Sequence, residues 1–568
     1  MRPKQLHRLL LPLGYTGIAA VAATALFFQP GAEFHFVDIA EAAGITGLPT
    51  AGNPGQKEFL FETTGSGAAI FDMDGDGRND VLLVNGTRRG AAEHPLPMLY
   101  RNLGGGRFED IAAKQWPKGG GWGQGVCIAD YDNDGRPDVL ITYYGVTRLY
   151  RNTASGFEDI SAKAGLPVQA HRWGSGCAFV DYDRDGRVDI FLSHYADIDA
   201  GNPPKPGSTP DCFWKGTAVA CGPKGLPMAR NALYHQKADG TLEDVSEKAG
   251  ILKPGGRYGL GVAAADFNND GWPDIYVACD QTPSLLYENR GDGTFRERGL
   301  EAGVALNSDG RTQAGMGVAI ADFDGNGFLD IAKTNFSGEL PSLYLNEDGR
   351  FFEDIAGSAG LGANLLLGWG IAFADFDDDG WKDLLVVNGH VYPEVELARM
   401  GDRYRQKTLL YRNLGDKKFA DVTVSSGPAF TPPRAARGLA IGDLDEDGRP
   451  EAIISNMSER PSVLKNTKTG GNFVNLELRG THVNRSAIGA RVRVRAGKRD
   501  QIDEVMSGGS YFSQHSLTLH FGLGAAKQAD SATVRWPGGK VEEWKVLPVN
   551  AHCVLTEGQA KPACRMYP

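Results

Sequence analysis

Residues 130–138 read DYDNDGRPD. Four carboxylates, Asp130, Asp132, Asp134 and Asp138, crowd into nine residues around Gly135. Like charges this close repel and resist burial. The spacing supplies an answer. In a tight loop the side chains at positions 1, 3 and 5 turn inward, and the glycine at position 6 permits the bend. The carbonyl of residue 7 adds an oxygen and the acid at position 9 closes the shell. An all-oxygen set suits a hard cation of flexible coordination, which favours calcium over zinc or copper.

The same grammar is written seven times. The first loop, DMDGDGRND, offers Asp72, Asp74, Asp76, the carbonyl of Arg78, and Asp80. The second repeats it with the Arg136 carbonyl at position 7, and the third, DYDRDGRVD, with Asp181, Asp183, Asp185, Arg187 and Asp189. The fourth, DFNNDGWPD, uses Asp266, Asn268, Asp270, Trp272 and Asp274; the fifth, DFDGNGFLD, uses Asp322, Asp324, Asn326, Phe328 and Asp330. The sixth, DFDDDGWKD, uses Asp375, Asp377, Asp379, Trp381 and Asp383. The seventh, DLDEDGRPE, uses Asp443, Asp445, Asp447, Arg449 and Glu451. One copy is easily an acidic surface turn; seven copies of one ligand pattern are not. EF-hands are excluded, because the twelfth-position glutamate is missing and the loops run into β-type stretches such as DLLVVNG. Asn268 and Asn326 lower the ligand charge of their loops and should weaken those two sites.

Other elements recur with the loops. A glycine-and-apolar strand precedes each (GQGVCIAD, GWGIAFAD), a second strand follows, then LYRN or a variant, a Gly/Asp turn and a strand of the type FEDI. Four short strands per unit, repeated radially, are the blades of a β-propeller. The expected fold is all-β: a seven-bladed β-propeller over 34–466. Phe36–Ile45, which precedes any loop, should complete the last blade. Antiparallel order puts the acidic loops on one face. The long insertions at 85–98, 193–231 and 388–408 fall on the other. Large side chains arrive on that second face: Trp122, His171, Arg172, Trp173, Arg257, Tyr258, Arg311, Trp369 and Arg437, with His194 and His390. Trp122, Arg172, Trp173, His194, Tyr258, Trp369 and His390 are the candidate ligand face; the competing reading is that these side chains pack the junctions between units.

From about residue 472 the pattern changes. NFVNLELRG, ARVRVRAG, SLTLHFGLG, SATVRWPGG and VEEWKVL read as strands between glycine turns. They predict a small β-sandwich-like domain over 472–557 with a tail at 558–568. Arg491, Arg493 and Arg495 alternate with Val492 and Val494 and read as a solvated face. At the other end, Arg2, Lys4 and Arg8 precede an uncharged stretch from Leu9 to Gln29, so residues 1–30 read as an export signal, either an uncleaved anchor or a peptide cleaved after Ala25. Seven cysteines fit an oxidising space. Cys212/Cys221 and Cys553/Cys564 read as local disulfides; Cys127, Cys177 and Cys279 read as buried thiols. The net charge is −11, which seven calcium ions would take to about +3 (−11 + 14). No basic run or basic–aromatic motif points to nucleic acid.

The FDxDxDGxxD loops and LYRN strands resemble the FG-GAP/VCBS-type repeats of integrin-α-like propellers. The stretch AIGARVRVRAG…GGSYFSQHSLTLHFGLG…VRWPGG resembles the ASPIC/UnbV module. Together, over about residues 34–557, they resemble bacterial relatives of cartilage acidic protein. The resemblance implies a secreted or surface calcium-binding propeller with a role in adhesion.

Three readings follow, one of them a purely structural spacer, which predicts an insertion face with no concavity. The first is an exported binding or adhesion module that recognises a protein, glycan or envelope polymer on the insertion face, in contact with a membrane through the N-terminal segment if that is uncleaved. The alternative is an enzyme using a pocket lined by His171, His194 and His390, with or without a metal; no HExxH, GxSxG or P-loop supports it.

Overall fold

The computed structural model describes residues 34–568 except 200, 398–400 and 469, with the side chains of 168–171 and 397 also left undescribed. The export-signal reading of residues 1–30 falls outside the described residues. Among those described, no helix is long and apolar enough to cross a membrane. The chain is all-β.

The first acidic loop joins strand Ala68–Phe71 to Asp80–Leu83, and Met98–Asn102 and Phe108–Asp110 complete an antiparallel sheet in sequence order. The same order holds around the fourth, fifth and sixth loops. Around the second and third, longer strands merge two units into a seven-stranded sheet, with Asp138–Thr153 running through the second and third strand positions of its unit. The seventh loop joins Ala436–Gly442 to Glu451–Asn456, followed by Ser462–Asn466; the fourth strand beside it is Phe36–Asp38, with Phe36 opposite Asn466. Each first strand also lies against that of the next unit, and the seventh lies against the first.

A glycine five residues before each loop makes this approach possible. A Cβ at Gly125, Gly176, Gly261, Gly317, Gly370 or Gly438 would collide with backbone in or just before the next first strand. A second device is the amide that ends the LYRN motif. Asn102 donates to the carbonyl of Leu444, Asn152 to Met73, Gln236 to Tyr131, and Asn289 to Tyr182. Asn346 donates to Phe267, Asn413 to Phe323 and Asn466 to Phe376. Each acceptor is the second residue of the preceding unit's acidic loop, and the first unit bonds to the seventh.

The cysteine reading needs one correction. Cys127 and Cys177 are not free thiols: they form a disulfide between neighbouring first strands, Cα atoms 6.1 Å apart. They lie three and four residues before their loops, so the alternation of a strand points them at each other. Cys212–Cys221 and Cys553–Cys564 are also bridged, and Cys279 is a buried thiol. Three disulfides fit an oxidising compartment outside the cytoplasm.

Residues 472–566 build two further four-stranded sheets. The stretch read as a tail adds a strand, Ala563–Met566, paired to Ala551–Thr556 and held by Cys553–Cys564. The arginine row is also corrected. Arg493 and Arg495 are exposed, but Arg491 is buried, bonded twice to Glu504 and reaching the Asp266 carbonyl.

This C-terminal part docks on the acidic loops and sends residues 507–515 between the first strands. Ser507 Oγ accepts from Phe179 N, Gly509 N donates to Val262, and Ser510 accepts from Val318 N and, through Oγ, from Ile371 N. Phe512 accepts from Val126 N, Ser513 Oγ from Ala68 N and Leu439 N, and His515 Nδ1 from Ile441 N. One nine-residue segment thus bonds to the first strand of every unit.

Candidate functional site

The acidic loops fold as their spacing requires. The position-1 carboxylate gathers backbone N–H groups of its own loop: Asp72 accepts from Gly75, Asp76 and Gly77 at 2.8–3.1 Å. The position-9 carboxylate is buried at the start of the second strand, where Asp80 accepts from Met73 N (2.9 Å) and Asn102 N (2.7 Å). Carboxylate oxygens of positions 1, 3 and 9 lie within 4.8 Å of one another in loops 72–80, 130–138 and 322–330, as do those of positions 1, 3 and 5 in 181–189.

Burial, with the neighbouring carboxylates adding to it, pushes these acids up: Asp130 to about 6, Asp80, Asp181, Asp189, Asp322 and Asp443 to about 7, Asp138 to about 8. Asp181 Oδ1, Asp183 Oδ1 and Asp445 Oδ1 are buried with no hydrogen-bond partner. Unpaired buried carboxylate oxygens cost several kcal/mol, roughly, unless a cation meets them. The donor set therefore fits a hard divalent cation.

The structure adds a layer that the sequence reading missed. The residue before the motif's final amide reaches over the loop. Arg101 lies 2.7 Å from Asp74, Arg151 2.6 Å from Asp132, Arg412 3.0 Å from Asp377 and Lys465 2.8 Å from Asp447. His235 lies 3.1 Å from Asp189, a contact that raises the pKa of the imidazole. These five loops carry four ligand carboxylates. The two loops with Asn268 and Asn326 have Glu288 and Leu345 at that place. Asparagine thus occurs where no cation from that strand offsets the charge, so the two asparagines alone do not rank the sites. Loop 266–274 is also engaged from the C-terminal part, with Arg535 2.5 Å from Asp266.

The first strands run from these loops to the insertion side. There the structure holds a cavity of about 760 Å³. The insertion bridged by Cys212–Cys221 forms one wall through Phe213 and Trp214; Tyr195, Tyr258, Phe336, Trp369 and Tyr392 form others. Asp280 lies in this lining.

Of the seven candidates, Tyr258 and Trp369 line the cavity. Trp369 donates to the Gly389 carbonyl (2.6 Å) and carries buried Arg437 4.1 Å over its ring. Trp173 is fully buried behind Tyr195, and Trp122 packs on Phe61 at 4.9 Å, so these two do serve as packing. Arg172 pairs with Asp197 (3.5 Å) beside a small separate recess that it shares with His194. His390 is buried behind Trp214, ring centroids 5.6 Å apart. Burial lowers His194 to about 3 and His390 to about 4, so both are neutral. The two imidazoles stand in different surroundings, and the His171 side chain lies outside the described residues. Sequence reasoning missed Tyr195, Trp214, Asp280, Phe336 and Tyr392; the aromatic run FWK inside the bridged insertion was a usable signal.

Comparison with known proteins finds matches to both parts of the sequence. Residues 480–562 match the family described as ASPIC and UnbV; 72–141, 130–192, 219–277 and 266–332 match the FG-GAP-like repeat. The chain thus combines FG-GAP-like repeats with a module that matches ASPIC and UnbV. Cartilage acidic protein 1 of Mus musculus is 28% identical over 514 residues, covering 86% of this chain and 73% of that protein. The Homo sapiens protein is 28% identical, covering 86% and 71%. Integrin alpha-3 of Cricetulus griseus is 27% identical over 215 residues, 34% of this chain and 20% of the integrin. Among solved structures, an Agrocybe aegerita lectin described for recognition of non-reducing terminal N-acetylglucosamine aligns with TM-score 0.33 at 16% identity, over 66% of this chain and 81% of the lectin, too slight a likeness to carry an argument.

Proposed function

We propose that the repeat units form a seven-bladed β-propeller over 34–466, capped by a β-sandwich-like module, and that the protein is an exported calcium-binding recognition module. Calcium occupies the acidic loops and stiffens the strands. A protein, glycan or envelope polymer binds on the opposite face. The observation that carries this reading is the 760 Å³ cavity at the far ends of the loop-bearing strands, walled by a disulfide-bridged insertion. Its size and aromatic lining are those of small-molecule or side-chain pockets, and the bridge holds its wall in shape before a ligand arrives. Trp214 and Tyr258 replace Trp173 and His390 as the residues to test.

The experiment is a glycan, protein and envelope-polymer screen of the exported chain, with and without calcium, followed by Trp214→Ala. Hits should lose binding in that variant while calcium stoichiometry is unchanged. Hits that ignore Trp214→Ala, but vanish on substitutions at the acidic loops or in 472–557, would place recognition elsewhere.

A further inference from the structure

Asp280 follows strand Asp274–Cys279, and its backbone N–H donates to the Tyr258 carbonyl (2.8 Å). Its side chain is about nine-tenths buried yet lines the cavity. One carboxylate oxygen, Oδ2, accepts from the Tyr195 hydroxyl at 2.5 Å; the other, Oδ1, is buried and accepts nothing. Among the described residues no ion pair reaches Asp280. The charge acting on it is that of Glu339, of the same sign, and burial together with Glu339 pushes its pKa up to about 7. A buried carboxylate oxygen without a donor is costly, and a charge-assisted donor is what relieves it best.

The lining as a whole points the same way. It carries three acids, Asp211, Asp280 and Glu339, against one base, Lys224, which pairs with Asp211 at 3.4 Å. Glu339 is already engaged, accepting from Ala314 N (2.9 Å) and Phe336 N (3.2 Å). Tyr195 and Tyr258 have centroids 5.8 Å apart, and Trp214 and Phe336 stand edge to face at 5.3 Å. Both tyrosine hydroxyls donate within the protein, Tyr258 to the Leu226 carbonyl at 2.7 Å, so the rings offer faces and edges to an occupant. Aromatic faces attract cations.

Resting on the reading of this cavity as the recognition site, we infer that its occupant presents a primary ammonium group, which donates to Asp280 Oδ1 while its alkyl chain lies among the rings. A free alkyl amine and a lysine side chain of a peptide share this chemistry. A quaternary ammonium fits less well, because it has no N–H for the unpaired oxygen.

The test is calorimetry and tryptophan fluorescence on the calcium-loaded chain. One arm compares 1,5-diaminopentane with 1,5-pentanediol; a second compares N-acetyl-lysine amide with N-acetyl-norleucine amide; tetramethylammonium is the donor-free cation. Each ammonium should bind about tenfold or more tighter than its neutral partner and than tetramethylammonium. The arm with the tighter ammonium distinguishes free amine from peptide side chain. In Asp280→Asn the preference should fall to about twofold or less. Equal binding of charged and neutral partners, or no binding of either amine, overturns the inference, and needs no variant to fold. Binding of N-acetylglucosamine that survives Asp280→Asn also overturns it. If screen hits depend on Trp214 but no amine competes with them, the inference fails and the cavity reading stands; if hits ignore Trp214, both fail.

Discussion

Arg412→Leu should tighten calcium binding at loop 375–383. Arg412 bonds Asp377 through Nε at 3.0 Å and Asp379 through Nη2 at 3.2 Å, so a cation entering the loop meets a guanidinium already on two of its ligands. Its side chain is 21% exposed, against 10% for Asp377 and 31% for Asp379, so the pair is partly screened. A double charge about 4 Å from a single one is repelled by roughly 2 kcal/mol in a water-like dielectric, and salt removes about half of that. Breaking partly exposed ion pairs adds about 0.2–1 kcal/mol. The substitution should therefore lower the dissociation constant by about five- to thirtyfold, or about 1–2 kcal/mol. Leucine is the residue the fifth unit has here, Leu345. Terbium seated in the loop should be sensitised by Trp381 at position 7; because Trp272 holds the same position in loop 266–274, the calcium-displacement titration is read in a Trp272→Phe background. The reciprocal Leu345→Arg should weaken loop 322–330 by a similar factor. Unchanged or weaker binding in Arg412→Leu would mean that the arginine orients the ligands and does not compete with the ion.

Three further outcomes are expected. In calcium-free protein, acids such as Asp80 (about 7), Asp443 (about 7) and Asp138 (about 8) hold protons that unfolded carboxyls release near 4, so the folded state binds more protons across that window. Stability with a chelator should fall as pH rises from 5 to 8 and calcium should reverse the fall; melting curves that stay flat or improve with pH under chelation would contradict this. Non-reducing peptide mapping should recover Cys127 joined to Cys177, and replacing both with serine should cost about 2–4 kcal/mol, while Cys279, its thiol pushed up to about 12 by burial, resists alkylation until the chain unfolds. Gly508→Val should lower the main calorimetric transition, because Gly508 has φ +84° and a Cβ there would stand 2.5 Å from the Cys177 carbonyl; an unshifted transition would show that 507–515 is not part of the cooperative unit.

The all-β class and the loop geometry were legible because their signals are local: nine-residue acid spacing, a glycine at a fixed offset, and period-two apolar strands. The pairing of Phe36–Asp38 with Ser462–Asn466 was legible by elimination, since one unit lacked its last strand. Features that depend on neighbours in adjacent units were not. Arg101, Arg412 and Lys465 look like ordinary exposed strand residues until the loop beneath them is seen. The Cys127–Cys177 bridge needed the one-residue offset between adjacent strands. The cavity was the hardest, because it is assembled from many separate stretches, contributing Tyr195, Trp214, Asp280 and Tyr392 among others, and only Tyr258 and Trp369 carry a repeat-related position that marks them in advance.

Segment 507–515 connects the two faces physically. It leaves a C-terminal module held to the acidic loops by Arg535 on Asp266 and His520 on Asp378 (3.0 Å), and its middle reaches the cavity side, where Tyr511 packs on Trp369 with ring centroids 4.7 Å apart. Trp369 is itself cavity lining, with Arg437 on its ring. The first strands supply a second connection: Gly259–Ala265 carries Leu260 in the cavity lining and ends beside Asp266 of the fourth loop. The acidic loops and the cavity are therefore joined by two chains of contact, one through strands and one through the inserted segment. Any factor by which calcium tightens ligand binding must return as the same factor by which ligand tightens calcium. Measuring both factors in wild type and in Gly508→Val separates the paths: a coupling that persists when the inserted segment is displaced travels through the strands, and one that disappears travels through Tyr511 and Trp369.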